Sequence, residues 1–255
     1  MLVRRLTLVV AAAMLARADV RVAAPPTPVL VELFTSEGCS SCPPADRLLA
    51  GMALAPADAA LVVPLGEHVD YWDDLGWRDR FSSAAYTARQ QMYARRFGGD
   101  GPYTPQLVID GRSECVGSDA ASARNAIAKA AAQPHGTMTV NLAASDGPGL
   151  RLTLTAKDLP QKTSERADML VAITENGLRS SVTRGENRGR VLTHAAVVRH
   201  LAVVGEAIGS SATIARVLTL SPDWQREALH VVAFVQERRT GAVLAAATTP
   251  VVSRP

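Results

Sequence analysis

The chain has 255 residues, with 27 lysines and arginines against 24 aspartates and glutamates. Three of the basic residues lie in the first 18 positions, which hold no acidic residue, so the remainder is formally neutral with 24 of each. A neutral chain offers no charge argument for binding nucleic acid or a membrane surface, and we expect neither as a partner.

The first 18 residues have the pattern of a secretory signal peptide. Arg4 and Arg5 precede an apolar stretch from Leu6 to Leu15, and residues 16–18 read Ala-Arg-Ala, which is similar to a cleavage site. The apolar stretch is too short to cross a membrane as a helix. We therefore expect no membrane span after cleavage and a periplasmic or secreted location, where disulfides persist. An uncleaved anchor is the alternative.

The most informative motif is a pair of cysteines, Cys39 and Cys42, separated by two serines. An apolar run predicted as a buried strand, residues 29–34, precedes the pair, and a predicted helix, residues 43–52, follows it. A C-x-x-C pair at a strand-to-helix turn is typical of thioredoxin-like redox sites. Because a helix N-terminus favours a thiolate, we predict Cys39 as the nucleophile and Cys42 as the resolving thiol. A structural disulfide, half of a metal site and an inactive remnant are the alternatives.

Two acidic residues near this motif carry different expectations. Glu32 lies within the apolar strand, where a carboxylate needs a partner or a raised pKa. We predict Glu32 to be the proton acceptor for Cys42, and a solvent-facing position is the alternative. Glu37 lies two residues before Cys39 and is expected to raise the pKa of that thiol, against the effect of the helix.

A second strand is predicted over residues 60–65, and a loop rich in acidic and aromatic residues, 67–77, follows it. Tyr71 and Trp72 of this loop are predicted to contact the substrate, and a small structural aromatic cluster is the alternative. The next segment, residues 77–97, is predicted as a long helix. Its arginines are expected to form a solvated face; they are Arg78, Arg80, Arg89, Arg95 and Arg96.

A Thr104–Pro105 pair opens the third predicted strand, residues 106–109. We predict a cis bond there, facing the cysteines, with the backbone of Thr104 and Pro105 holding a substrate chain. An Asp-Gly turn signal then predicts a hairpin, and Cys115 on its return strand is expected to be a buried free thiol. A helix is predicted over residues 119–133.

Short alternating segments punctuated by Gly, Pro, Asp and Asn follow Pro134. The predicted strands are 137–143, 150–156, 169–176, 190–194, 197–204, 212–220, 230–236 and 243–249. The polar segment 183–190 is predicted to be a hairpin connection. The expected fold class is an α/β thioredoxin-like domain with an inserted helical segment, residues 28–133, followed by an all-β antiparallel sandwich domain, residues 137–255.

Several of these segments resemble the uncharacterised secreted thioredoxin-like proteins grouped as domain of unknown function 1223. The motifs that carry the resemblance are residues 31–46, 68–73, 75–77, 103–106 and 185–187, with His194. The resemblance implies a thioredoxin-like domain followed by a β-rich domain, and it implies no activity. Its site residues are Cys39, Cys42, Thr104 and Pro105.

The function predicted from the residues is a thiol–disulfide oxidoreductase that acts on a protein thiol or disulfide and meets a redox partner. No cofactor and no metal are expected. One alternative is a redox-inert thioredoxin-like binding protein. The other is a copper(I) chaperone that uses Cys39 and Cys42 with His68 nearby.

Overall fold

The computed structural model describes residues 25–54, 60–145, 149–160 and 165–251. The signal peptide predicted for residues 1–18 lies outside these ranges. Within them, no helix combines the length and the apolar character needed to cross a membrane.

The first half of the chain alternates strands and helices. Its elements are β1 (Thr27–Thr35), α1 (Pro43–Leu54), β2 (Ala60–His68), α2 (Ala84–Phe97), β3 (Gln106–Ile109), β4 (Ser113–Val116) and α3 (Ala120–Ala131). Helix α2 begins seven residues later than residues 77–97 predict, because Ser83 caps it by accepting a hydrogen bond from the backbone N–H of Ala85. Gly98, with a φ of 71°, ends it.

In the described residues of the second half, the regular elements are strands and one short 3-10 helix, Arg226–Ala228. The strands are β5 (Thr137–Ala144), β6 (Gly149–Lys157), β7 (Arg166–Glu175), β8 (Leu178–Ser181), β9 (Val191–His194), β10 (Val197–Ile208), β11 (Ala212–Thr219), β12 (Leu229–Glu237) and β13 (Val243–Pro250). The locations of the strands therefore agree closely with the alternation in the sequence.

Strands from both halves form one mixed sheet of eight strands. Its order is β13-β12-β7-β10-β2-β1-β3-β4, and smaller sheets, β11-β6-β5 and β8-β9, accompany it. The two halves meet where β10 runs parallel to β2, with Val197 opposite Gly66. The N–H of Gly66 donates to the carbonyl of Ala196 at 2.7 Å. A Cβ on Gly66 would lie 3.2 Å from the carbonyl oxygen of Ala195, so glycine permits this close approach.

The predicted fold class is therefore wrong. Strands make up 46% and helices 18% of the structure, and the large mixed sheet replaces a thioredoxin-like α/β domain followed by a separate sandwich. Local alternation of side chains identifies a strand but does not identify its neighbour, and here β10 pairs with the edge of β2. The predicted boundary between residues 133 and 137 stays a prediction.

Clusters of buried apolar side chains cover the two faces of the large sheet. On one face, Val31 and Leu33 of β1 pack with α1 and α3. Farther along the sheet, Val171 of β7 packs with the β11-β6-β5 sheet. On the opposite face, Tyr86 of α2 packs with strands from both halves, and its hydroxyl donates to the carbonyl of Val198 at 2.9 Å. Helix α2 thus ties the two halves together.

A buried ionic network lies beneath α2 and overturns the expected role of one arginine. Arg89 is not on a solvated face; its side chain is 10% exposed, and its Nε contacts Glu32 at 2.5 Å and Glu67 at 3.5 Å. The Tyr93 hydroxyl donates to the other oxygen of Glu32 at 2.6 Å. Burial, together with the nearby Glu32 carboxylate, raises the pKa of Glu67 well above its usual range.

Replacing the arginine tests this network. Arg89→Met leaves Glu32 and Glu67 buried without a cation, so we expect the free energy of unfolding to fall by about 3–5 kcal/mol. Urea unfolding followed by circular dichroism measures the change. Arg95→Met, on the exposed side of the same helix, is the matched control and should change stability little. Equal losses of unfolding free energy in the two variants would show that the buried ionic network does not stabilise the fold.

Candidate functional site

The two cysteines lie between the end of β1 and the start of α1, as the sequence predicts, and they form a disulfide. The backbone N–H groups of Ala45 and Asp46 donate to the carbonyl of Cys42, so the first helical turn begins at the second cysteine. Both cysteines are 0% exposed. The disulfide is therefore at a helix N-terminus but is covered on all sides in this state.

The surroundings of Cys39 offer a hydrogen-bonding partner for a thiolate. The Ser41 hydroxyl lies 3.3 Å from the Sγ of Cys39, and Ser40 and Ser41 are both exposed. Helix α1 directs its N-terminal partial positive charge toward this loop. Reduction of the disulfide would thus place the Cys39 sulfur where both a hydroxyl and a helix N-terminus stabilise negative charge.

The Thr104–Pro105 peptide bond is cis, and this prediction is confirmed. Gln106 pairs with Phe34, so Pro105 lies beside the end of β1, where the loop to Cys39 begins. Trp72 links the two segments, because its Nε1 donates to the Thr104 hydroxyl at 2.9 Å. A Cβ on Gly38 would lie 3.1 Å from the Cβ of Trp72. The structure thus brings Trp72 and Thr104, both predicted to contact the substrate, to the cysteine loop.

Tyr71 lies at the edge of the same region. The residue is 38% exposed, and its hydroxyl donates to the side-chain oxygen of Gln90 at 3.1 Å. Gln90 in turn donates to the carbonyl of Tyr103 at 2.7 Å. The aromatic loop is therefore fixed against α2 and the segment before Pro105, and Tyr71 remains accessible to solvent.

Glu32 lies on the opposite face of the sheet from α1. Val31 and Leu33 pack under α1, so the residue between them points toward α2. There its carboxylate binds Arg89 and Tyr93. The structure therefore does not bring Glu32 to the α1 side of the sheet, and its role as proton acceptor stays a prediction.

A cluster of buried ionisable side chains lies beside the cysteine loop. We call it the acid–histidine cluster; its members are Glu37, Asp46, His68, Asp79 and His194. They come from the loop after β1, from α1, from the end of β2, from the loop before α2 and from the end of β9. Three carboxylates and two imidazoles, all nearly excluded from water, are thus gathered from segments distant in the sequence.

The members of the acid–histidine cluster contact one another in a chain. His68 Nδ1 lies 2.6 Å from Asp79 Oδ2, and the same oxygen accepts a hydrogen bond from the N–H of Glu37 at 2.8 Å. His194 lies between two carboxylates, with Nε2 3.3 Å from Glu37 Oε1 and Nδ1 3.7 Å from Asp46 Oδ2. The two imidazole rings are 4.8 Å apart. The chain of contacts ends at Asp46, one helical turn after Cys42.

The protonation states in this cluster diverge from their ordinary values. Burial raises the pKa of Asp46, although the imidazoles of His194 and His68 oppose the shift. Burial disfavours charge on His68, but the Asp79 carboxylate outweighs it and raises the pKa of His68. The pKa of Asp79 is lowered, because His68 and two backbone N–H groups outweigh its burial. The cluster therefore favours a His68–Asp79 ion pair and makes Asp46 easier to protonate than an ordinary aspartate.

Glu37 differs from the expectation drawn from its position in the sequence. Burial alone would raise its pKa, but the nearby imidazole of His194 and a hydrogen bond from Trp77 lower it. The indole Nε1 of Trp77 donates to Glu37 Oε2 at 2.7 Å. The carboxylate therefore points into the acid–histidine cluster and stays ionised there.

The loop of residues 183–190, between β8 and β9, closes over the cysteine loop. The side-chain amide of Asn187 donates to the carbonyls of Glu37 and Cys39 at 2.8 and 2.9 Å. Glu186 accepts a hydrogen bond from the N–H of Ser40 at 3.0 Å. A segment predicted to be a plain hairpin connection thus supplies part of the site.

The prediction missed the contributions of Asp46, Asp79, Asn187 and His194. Each is a common polar residue without a spacing that marks a site. For residues 185–187 and His194 the signal was the family resemblance, since both are among the motifs that carry it.

Cys115 is free, as predicted, but only partly buried. Burial and the nearby carboxylates of Asp119 and Glu114 raise the pKa of its thiol.

Comparison with known proteins identifies one family and similar solved structures. The family model described as "Protein of unknown function (DUF1223)" matches residues 30–236. A crystal structure of a protein from Agrobacterium tumefaciens, AGR_C_4864, is 28% identical, with a TM-score of 0.69 over 91% of this chain and 98% of the other. HBP35 of Porphyromonas gingivalis shares the fold at 16% identity, with a TM-score of 0.62 over 91% and 81% of the two chains. No curated protein matches the chain.

The His68–Asp79 pair predicts how stability depends on pH. Because the folded-state pKa of His68 lies above its ordinary 6.5, the folded protein binds a proton more tightly than the unfolded chain does. The stability that this gives is complete below about pH 6.5 and is lost as the pH rises through the folded-state pKa, by about 1.4 kcal/mol per unit of elevation. Urea unfolding between about pH 6 and about pH 9 measures this fall.

Removing the carboxylate isolates the contribution of the pair. In Asp79→Asn the burial of His68 is no longer opposed by its nearest anion, so the fall in stability over this range should become smaller. Asp74→Asn, at an exposed position nearby, is the control and should keep the wild-type slope. The same slope in all three proteins would show that His68 does not gain its proton from Asp79.

Proposed function

The chain belongs to the DUF1223 family, which is described only as of unknown function, and we propose that its Cys39–Cys42 pair exchanges disulfides with protein thiols. The observation that carries this proposal is the disulfide itself, placed at the N-terminus of α1. A helix N-terminus lowers the pKa of a cysteine thiol and makes it a better leaving group and nucleophile. Signal-like residues 1–18 support a site of action outside the cytosol, where such exchange is needed.

The proposed reaction transfers two electrons. A substrate thiolate attacks the Sγ of Cys39, the Cys39–Cys42 bond breaks, and Cys42 leaves as a thiolate. A second substrate thiolate then attacks the substrate sulfur of the mixed disulfide, and Cys39 leaves. The substrate dithiol has been oxidised to a disulfide, and the cysteine pair has been reduced and holds the two protons. The reverse sequence reduces a substrate disulfide.

We propose Asp46 as the proton donor for Cys42. It follows Cys42 by one helical turn, and burial raises the pKa of its carboxyl group. His194 lies beside Asp46, with Nδ1 3.7 Å from Oδ2. Glu32 keeps the role predicted for it only as an alternative, since Arg89 and Tyr93 already bind its carboxylate.

The proposed substrate contacts surround the cysteine loop. The Cβ of Trp72 lies next to Gly38, and its indole N–H donates to the Thr104 hydroxyl. Pro105 follows Thr104 in the chain and lies beside the end of β1. Tyr71 contributes an exposed aromatic face. Aromatic and backbone surfaces of this kind hold an extended polypeptide around its sulfur atom.

One observation favours a redox-inert alternative. Cys39 is fully buried, whereas a nucleophile must meet its substrate, so a structural disulfide in a binding protein is the competing function. The copper(I) alternative would rest on the two cysteines alone. Within the described part of the chain, no group of three or more His, Cys, Asp or Glu side chains has a geometry that could hold a metal ion.

A trapping experiment tests the exchange reaction. In Cys42→Ser the mixed disulfide on Cys39 cannot be resolved, so incubation with a disulfide-bonded test protein such as insulin should accumulate a covalent complex. Non-reducing electrophoresis and mass spectrometry detect it. Cys39→Ser should trap nothing, and Cys115→Ser in both backgrounds removes the third thiol as a source of complexes.

A glutathione titration of the wild-type protein completes the test. An exchange site should have a reduction potential within about −120 to −270 mV, the range of thioredoxin-like enzymes. A potential below about −300 mV with no trapped complex would make the disulfide structural and overturn the proposal. Equimolar copper(I) binding that is lost in Cys39→Ser would favour the chaperone instead.

A further inference from the structure

Side chains of the 183–190 loop bind the backbone on both sides of Cys39, the proposed nucleophile. We infer that this loop is a latch. It occupies the backbone hydrogen-bonding groups of the cysteine loop, and a substrate segment must displace it before exchange at Cys39. The inference rests on the proposed function for its biological meaning. The contacts between the 183–190 loop and the cysteine loop do not depend on that function.

The contacts of the latch are those that an extended substrate segment would make. Asn187 satisfies the carbonyls of Glu37 and Cys39, and Glu186 satisfies the N–H of Ser40. A peptide strand binds to an exposed backbone by the same alternation of N–H donors and carbonyl acceptors. The side chains of Glu186 and Asn187 therefore take the hydrogen-bonding positions that the backbone of a substrate would take.

Asn187 is the residue that holds the latch closed. It is 0% exposed, and both of its amide hydrogen bonds go to the cysteine loop. Arg190 donates to the Asn187 Oδ1 at 2.9 Å and fixes the orientation of the amide. The other residues of the 183–190 loop are all exposed, so Asn187 is the one member of the loop whose side chain is buried.

The base of the hairpin stays in place while the tip moves. Strands β8 and β9 pair through Leu178 and His194, and His194 is buried in the acid–histidine cluster. At the start of the tip, Val182 exchanges backbone hydrogen bonds with Arg190 and Gly189. Opening therefore breaks the polar contacts of the 183–190 loop with the cysteine loop and the packing of Gly185 on Trp77, while His194 stays in the acid–histidine cluster.

Gly185 adds a contact that can be altered without touching the cysteine loop. Its φ is 72°, and a Cβ there would lie 3.1 Å from the Cβ of Trp77. A side chain at this position is strained and pushes the loop away from Trp77. Gly185→Ala is therefore an independent way to open the latch.

The test is the rate at which the disulfide is reduced by two probes, tris(2-carboxyethyl)phosphine and reduced glutathione. Asn187→Ala should be reduced about tenfold faster than the wild-type protein, since the net effect of two lost hydrogen bonds is of this size. Gly185→Ala should also be faster. Arg188→Ala, at an exposed position of the same loop, is the matched control and should keep the wild-type rate.

Two further measurements exclude trivial explanations. Arg89→Met, which is destabilised through the opposite face of the sheet, should not share the faster reduction; if it does, global unfolding explains the rates and the latch is overturned. Hydrogen exchange at the Ser40 amide should be faster in Asn187→Ala than in Arg188→Ala. If the loop instead only positions the cysteines, Asn187→Ala and Gly185→Ala will be reduced no faster than the wild-type protein, and the inference fails.

Failure of the latch and failure of the proposed function give different results. Faster reduction in both loop variants, together with no complex trapped by Cys42→Ser in either loop variant background, keeps the latch and removes the oxidoreductase. A trapped complex with unchanged reduction rates in the loop variants keeps the oxidoreductase and removes the latch.

Discussion

The parallel pairing of β10 with β2 is the contact on which the rest of the structure depends. It places Val197 opposite Gly66 and brings the N–H of Gly66 to the carbonyl of Ala196. The residues just before β10 are those of β9 and the 183–190 loop, so this pairing carries them to the end of β1. A side chain at Gly66 would meet the carbonyl oxygen of Ala195, and the approach would be lost.

The acid–histidine cluster is completed only where the two halves meet. His194, which comes from β9, places its imidazole between the buried carboxylates of Glu37 and Asp46. Buried carboxylates without a cationic or hydrogen-bonding partner cost several kcal/mol each, by a rough estimate. Folding of the cysteine loop is therefore coupled to docking of the β8–β9 hairpin. The loop of the same hairpin binds the backbone of the cysteine loop, so one hairpin both completes the cluster and holds the cysteine loop in place.

Local features of the chain were predictable, and features that need a distant partner were not. The strand before Cys39, the helix after Cys42 and the position of Pro105 follow from apolar runs and turn residues. Arg89 was expected on a solvated face, yet it turns inward because Glu32 faces α2 across the sheet. The fold class failed for the same reason, since the partner of β2 lies more than a hundred residues away in the sequence.

The sequence by itself determined where the strands, the helices and the cysteine pair lie, because these depend on side-chain periodicity and on bonds between near neighbours. Only the tertiary structure decided which strands share a sheet, which acids and histidines become neighbours, and what covers the disulfide. Those outcomes depend on long-range pairing and on burial, which change the pKa of Asp46 and His68 without any mark in the local sequence.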